Sequence, residues 1–379
     1  MTILPILALG LLQGPPYSVP YSEGTLKLER IASLEYPWGI CSLPDGRVLI
    51  TEKPGRLRIY ANGQLSEPVS GVPKVVYHEQ GGLLDIERDP NFAQNQFVYL
   101  YFVEAAQVQT MAVDPWDPRI GPKPERVDNT LKGGAVARGK LVGNALQGVR
   151  VIWRQSPKTI GRGHNGGRLN FDRAGRLYIT SGDRQRFTPA QDMNGNLGKV
   201  VRINRDGSIP AGNPYPGKDI WSLGHRNPLG AAFDPATNKF WMHEMGPLGG
   251  DELNLITPRG NYGWPVVSNG DNYDRTRIPD HDTQPRFKRP NLTWNPVISP
   301  SGMIFYTGSM FPKWKGQALI GGLSSMSLIR VSLKNGIAKE EERIKLFRRI
   351  RDVHQASDGS VWLLVDSKQG GLMRMTPES

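Results

Sequence analysis

The sequence predicts an all-β protein, a six-bladed β-propeller whose blades are four-stranded antiparallel sheets. Three observations carry this. Six segments repeat one layout, a polar turn rich in Asp, Pro and Gly followed by alternating apolar residues. Helical periodicity is almost absent. The 44 Gly and 31 Pro make up about a fifth of the 379 residues, against a usual combined share of about 12%. Spread between apolar runs rather than clustered, they mark many tight turns and not disorder.

The six segments are LPDGRVLITE from Leu43, DPNFAQNQFVYLYF from Asp89, FDRAGRLYITSGD from Phe171, FDPATNKFWMHEMG from Phe233, SPSGMIFYTG from Ser299 and SDGSVWLLVD from Ser357. Alternation over four to eight residues after a Gly-containing turn is the strand and hairpin signal. Six strand-turn-strand units fit blades around a central channel. Their uneven spacing, about 45 to 80 residues, places insertions in the loops. The largest, near 105–134, contains DPWDPRIGPKPER and has no strand or helix pattern, so it reads as a long surface loop. Two tandem β-sandwiches are the competing architecture, but no Ser/Pro-rich or low-complexity linker divides the chain. The propeller domain is therefore expected over 21–379. Residues 1–20 are expected to be an N-terminal extension or a truncated signal-like segment. Within them ILPILALGLL is too short to span a bilayer, and no Lys or Arg precedes it as a signal n-region requires. It reads equally as an apolar strand.

The formal net charge is +12, enough to raise nucleic acid or an anionic ligand as partners. Lys and Arg run along the whole chain, however, and the densest run, RIKLFRRIRD, lacks interleaved stacking aromatics. No nucleic-acid partner and no integral membrane span are expected. The single cysteine, Cys41, excludes an intramolecular disulfide and a thiolate zinc cluster. The six histidines show no close paired spacing for zinc or copper, and no G-x-S-x-G elbow is present.

One short stretch carries chemistry. Gly161 to Gly166, GRGHNG, satisfies the G-x-G-x-x-G pattern of a dinucleotide-binding turn. That fingerprint needs a helix directly after it to hold the pyrophosphate, and here strand, turn and strand follow. The alternative is a loop in which Gly163, Gly166 and Gly167 let the backbone bend closely around a ligand, with His164 projecting into the propeller mouth. An isolated histidine is more often structural than catalytic.

HNGGRLNFDRAGRLYITSGD, GHRNPLGAAFDP from Gly224, EMGPLGGDELNLI from Glu244, NYGWP from Asn261, RRIRDV from Arg348, EQGGLLDIERDPNF from Glu79 and YPWGICSLPDGRVLITEKPGRLRI from Tyr36 together resemble the soluble quinoprotein aldose sugar dehydrogenases. These are relatives of soluble glucose dehydrogenase that carry pyrroloquinoline quinone (PQQ) and calcium on a six-bladed propeller. The resemblance runs from about Leu34 to Met375. It implies oxidation of the anomeric carbon of an aldose sugar to a lactone, electrons passing to an unidentified acceptor, a periplasmic or secreted location, and a monomer or homodimer.

The same resemblance assigns residues. His164 is the implied general base at the anomeric hydroxyl, a task that suits imidazole near neutral pH, and a contact to the cofactor. Asp183 is the carboxylate that orients it. Arg226 and Asn227 match contacts to the quinone oxygens, where a fixed positive charge steadies developing negative charge. Gly246 and Pro247 match carbonyl ligands to calcium, a cation that takes oxygen donors. Gln80 matches a polar cofactor contact. Arg349 and Arg351 match two arginines that hold the cofactor's carboxylates; side chains two apart on a strand share a face, and guanidinium pairs well with carboxylate. Read without the resemblance, Asp183, Asn227 and Gly246-Pro247 are ordinary turn residues, and Arg226 and Arg349-Ile350-Arg351 fit surface ion pairs or a charged edge strand.

One departure stands out. Where the family usually has a lysine, in a stretch resembling GLKGQRL, this chain reads GLSSMSL with Ser324 at the lysine position; Lys313, Lys315 and Lys334 lie nearby in sequence. A non-catalytic ligand-binding propeller, favoured by Ser324, and a calcium-dependent lactonase are the alternatives. Asp251 and Glu252 read either as help for a calcium site or as solvated loop charges.

Overall fold

The computed structural model describes residues 15–110, 116–121, 129–334 and 336–378. ILPILALGLL and part of the DPWDPRIGPKPER stretch lie outside them.

Six antiparallel sheets are arranged around a channel. From the innermost strand outward, blade 1 is Pro37–Ser42, Val48–Glu52, Arg56–Ala61 and Gln64–Leu65. Blade 2 is Leu83–Arg88, Phe97–Ala105, Lys132–Val142 and Ala145–Arg154. Blade 3 is Gly166–Phe171, Leu177–Ser181, Lys199–Ile203 and Ile220–Leu223. Blade 4 is Pro228–Phe233, Phe240–Glu244, Asp251–Ile256 and Leu292–Trp294. Blade 5 is Pro300–Phe305, Ala318–Gly322, Ser327–Lys334 and Ile337–Lys345. Blade 6 joins Ile350–Gln355, Val361–Val365 and Gly370–Pro377 to Gly24–Leu34 from the other end of the sequence, with Leu26 facing Pro377 and Leu34 facing Gly370. Tyr17–Tyr21, which crosses the boundary expected after residue 20, pairs with Gly24–Leu34 and gives this blade a fifth strand. The innermost strands touch in turn, and the sixth returns to the first. The expected propeller is the observed fold.

Apolar faces pack between neighbouring blades. Leu49, Leu57, Leu83, Val98 and Phe102 fill the space between blades 1 and 2, and Tyr101, Leu169, Ile179 and Val201 that between blades 2 and 3. Each such side chain contributes roughly 1.5–3 kcal/mol by leaving water.

Every innermost strand carries a register irregularity near its start. A bulge re-aims side chains locally. The third residues of these strands are Gly39, Asp85, Arg168, Gly230, Gly302 and Asp352, and they build one layer across the channel. Arg168 Nη1 donates to Asp85 Oδ1 at 3.1 Å and Asp352 Oδ2 at 2.8 Å, its Nε to Leu229 O at 2.6 Å, and its guanidinium lies 4.2 Å from the Trp38 ring centroid. Two of the glycines make the room. A Cβ on Gly302 would sit 1.7 Å from Asp352 Oδ1, and one on Gly39 2.7 Å from Asp85 Oδ1. This buried ionic layer separates two cavities. One, of about 200 Å³, lies among the loops that precede the innermost strands. The other, about 940 Å³, lies among the far ends of those strands.

Candidate active site

All the predicted site residues fall at one end of the propeller. Gln80, His164, Arg226, Asn227 and Arg349 lie just before or at the start of innermost strands. Asp183 and Gly246-Pro247 lie in the turns after second strands, at the same end. The larger cavity at the opposite end is lined by none of them.

The GRGHNG loop runs directly into the strand Gly166–Phe171, and no helix follows. His164 has φ +50° and is buried, with a nearby cluster of left-handed residues at Arg184, Gln185 and Phe187. Such conformations cost on the order of 1–3 kcal/mol each and concentrate at functional sites. Gly182 permits the close approach of the two segments, because a Cβ there would lie 2.1 Å from His164 O.

His164 Nδ1 lies 2.7 Å from Asp183 Oδ1. Asp183 is fully buried and accepts three further hydrogen bonds, from Trp264 Nε1 at 2.7 Å, Gln185 N at 2.8 Å and Phe187 N at 3.3 Å. The carboxylate is thus held rigidly and accepts a hydrogen bond from Nδ1–H, which leaves Nε2 of a neutral ring as the proton acceptor. Burial, aided by the Arg226 charge, pushes His164 down to about 4 against the upward pull of Asp183. Burial pushes Asp183 upward, but His164 and the donated hydrogen bonds outweigh it and hold the carboxyl below its ordinary range.

The other members connect to this pair. Gln80 Oε1 accepts from His164 N at 2.9 Å, so Gln80 positions the base as well as lining the cavity. Arg226 O accepts from Asp183 N at 2.9 Å, and Arg226 Nη1 donates to Met245 O and Gly246 O at 2.9 and 2.8 Å. The Arg226 guanidinium sits 5.2 Å from the Trp264 ring centroid. Asn227 Oδ1 accepts from Gly166 N at 3.4 Å. Asp251, far from being a solvated loop charge, is buried. It accepts from Gly246 N at 2.9 Å, Ile298 N at 2.8 Å and Ser299 N at 2.7 Å, so its role is to brace the Gly246 turn. Glu252 is buried as well, and burial together with neighbouring Glu244 pushes its carboxyl upward.

Arg349 and Arg351 both face the smaller cavity and share one carboxylate, with their Nη2 atoms 3.2 and 3.0 Å from Asp366 Oδ2. Trp38, Gln80, Asn165 and Met245 line the same space. The buried Nε of Arg226, Nε of Arg351 and Oδ1 of Asn165 find no hydrogen-bond partner among the described residues, and buried polar groups left so are costly unless a ligand supplies the partner. Ser324 is exposed; its neighbour Leu323 lines the cavity. Lys313, Lys315 and Lys334 lie outside the lining. The residue that sequence reasoning missed is Lys53, which does line it. Its only signal is its place just after a second strand, in the kind of turn that also carries Asp183 and Gly246. Trp264 was quoted above within NYGWP, with no sign that it holds Asp183.

A family model described as Glucose / Sorbosone dehydrogenase matches residues 34–374. The chain is 36% identical to the aldose sugar dehydrogenase YliI of Escherichia coli strain K12, over 91% of each chain. It superposes on the crystal structure of the soluble aldose sugar dehydrogenase from Escherichia coli in the apo-form with TM-score 0.84 and 35% identity, covering 93% of this chain and 100% of that one. On the PQQ-bound form of the aldose sugar dehydrogenase from Streptomyces coelicolor the values are 0.73 and 26%, over 94% and 99%. The chain belongs to the glucose/sorbosone dehydrogenase family of sugar-oxidising enzymes.

Proposed function

We propose that the protein oxidises the anomeric carbon of an aldose to the lactone with PQQ, using His164 as general base. The observation that carries this is the buried His164–Asp183 pair set beside a cation-lined cavity. That cavity suits a polycarboxylate: Arg349 and Arg351 converge on it with one shared counter-carboxylate, and the buried Nε donor of Arg351 has no partner among the described residues. Gln80, Asn165, Arg349 and Arg351 would hold the cofactor, and Arg226 and Asn227 would face its oxygens. Bound PQQ supplies a two-electron acceptor for the hydride that leaves the anomeric carbon. His164 Nε2 takes the hydroxyl proton, Asp183 keeps the Nδ1 proton in place and steadies the imidazolium, and the Arg226 charge stabilises negative charge that develops nearby.

Calcium fits less well. The assigned residues offer only the carbonyls of Gly246 and Pro247, and Gly246 O already accepts from Arg226 Nη1. Among the described residues no group of three His, Cys, Asp or Glu converges as a metal site, and calcium wants six to eight oxygens. Calcium at Gly246 and Pro247 therefore rests on the resemblance, and no step is assigned to it.

The test is to titrate the purified protein with PQQ, with and without calcium, by calorimetry, and then to follow dye reduction with a panel of aldoses. Saturable binding and aldose-dependent dye reduction are expected. Absence of both would sink the reading and promote the ligand-binding propeller, and lactone hydrolysis would promote the lactonase. Because His164 stays neutral down to about 4, kcat/KM for the aldose should stay level through neutral pH and fall only well below the ordinary histidine value of about 6.5. An acid limb at 6.5 or above would contradict this environment for the base. Family membership carries an aldose substrate with it as the expected class. The physiological electron acceptor and the choice between monomer and homodimer belong to the same proposal, as does a periplasmic or secreted location; no described helix is long and apolar enough to cross a membrane.

A further inference from the structure

The loss of the usual lysine at Ser324 leaves the cofactor cavity one cation short, and the geometry offers a replacement from another blade. Lys53 lines the cavity together with Arg349 and Arg351. Its backbone is pinned between neighbouring segments: Lys53 N donates to Tyr36 O and Lys53 O accepts from Leu83 N, both at 3.0 Å. A Cβ on Gly82 would sit 2.2 Å from Lys53 O, so the segments meet too closely for any other residue there. The half-buried ammonium lies 5.6 and 5.7 Å from the ring centroids of Tyr36 and Tyr77 and donates to Glu79 O at 2.7 Å. An ammonium has three donors, so two remain for a ligand. Burial and the nearby Arg351 charge pull the Lys53 pKa down, as expected where cations are gathered without enough counter-charge.

The other lysines do not qualify. Lys313 is 75% exposed at its side chain and faces Glu23 at 3.8 Å. Lys334 pairs with Ile337 at a hairpin end. Lys345 reaches Ser325 O at 2.6 Å but lines no part of the cavity.

We propose that Lys53 is the third cofactor-holding cation of this protein, binding a carboxylate of PQQ beside Arg349 and Arg351 and taking over from blade 1 the charge that blade 5 lacks at Ser324. This rests on the quinoprotein reading. The test measures PQQ binding to the full chain by calorimetry and by tryptophan quenching, since Trp38 lines the cavity. Wild type, Lys53→Met and Lys53→Arg are compared, each against PQQ and against its uncharged trimethyl ester. A charged hydrogen bond contributes about 1.5–3 kcal/mol, so Lys53→Met should weaken PQQ binding roughly 10- to 100-fold. Lys53→Arg should stay within a few-fold of wild type, and ester affinity should be nearly unchanged by either substitution. Wild-type binding with undiminished affinity in Lys53→Met overturns the role of Lys53 and leaves the quinoprotein reading intact. Equal loss of PQQ and ester affinity in Lys53→Met also overturns it, because the defect would then be one of folding or shape. No PQQ binding by wild type overturns both.

Discussion

The His164→Gln variant is expected to lose turnover by roughly 10²- to 10⁴-fold, the usual contribution of a positioned base, while keeping most of its affinity for PQQ. Glutamine matches the imidazole approximately in length and can still hydrogen-bond to Asp183, but it has no lone pair basic enough to take the hydroxyl proton. Nothing in the cavity lining is a substitute base, because Lys53, Arg349 and Arg351 are cations and the carboxylate between the two arginines, Asp366, is paired with both. Steady-state kinetics with saturating aldose, run beside calorimetric PQQ binding, separates the two effects. A variant that loses binding and turnover to the same extent would make His164 a cofactor clamp rather than a base.

The second large effect is on stability. Arg168→Met should destabilise the fold by about 3–5 kcal/mol, the cost of breaking a buried pair and leaving the other charges behind. Arg168 bridges Asp85 and Asp352 in the channel layer, and all three side chains are buried. Even with Arg168 present, burial pushes Asp85 up to about 6 and holds Asp352 above its usual range. A folded-state pKa raised above the unfolded one means that the protonated form favours the fold. The Arg168 charge lowers both carboxyl pKa values, so its loss in Arg168→Met raises them further. The deficit of the variant should accordingly be largest at alkaline pH, shrink as pH falls toward about 6 because the variant takes up protons first, and level off below that. Urea unfolding at several pH values reads this directly. Combining Arg168→Met with Asp85→Asn and Asp352→Asn should recover much of the loss. A single variant as stable as wild type at pH 8 would show that the layer tolerates unpaired carboxylates.

The fold was legible because its repeating unit is local. LPDGRVLITE, FDRAGRLYITSGD and SDGSVWLLVD contain the second strands Val48–Glu52, Leu177–Ser181 and Val361–Val365, whose alternation follows a glycine turn. SPSGMIFYTG instead holds an innermost strand, Pro300–Phe305, since both strand types alternate and begin after a turn. Outer strands such as Gln64–Leu65 are too short to show a period. The channel layer was written in the third residue of each innermost strand and went unread, because its members lie tens of residues apart and acquire meaning only once the ring closes. The His164–Asp183 pairing was legible through resemblance alone. Trp264 and Lys53 escaped for one physical reason: each acts through a contact between blades, which no local pattern encodes. The departure at Ser324 was legible, but where the substituting charge would come from was not.

The closure of blade 6 bears on the order of events during synthesis. The strand that carries Arg351, Ile350–Gln355, belongs to a sheet whose outer part is Gly24–Leu34. Its closure therefore pairs residues 24–34 with residues 370–377, a contact of very large sequence separation and so a slow one to form. Until residues 350–377 have emerged, the earlier blades cannot close the ring or complete the cavity that Arg349 and Arg351 line. A nascent chain stalled before residue 350 would therefore lack Arg351 and present an incomplete cavity.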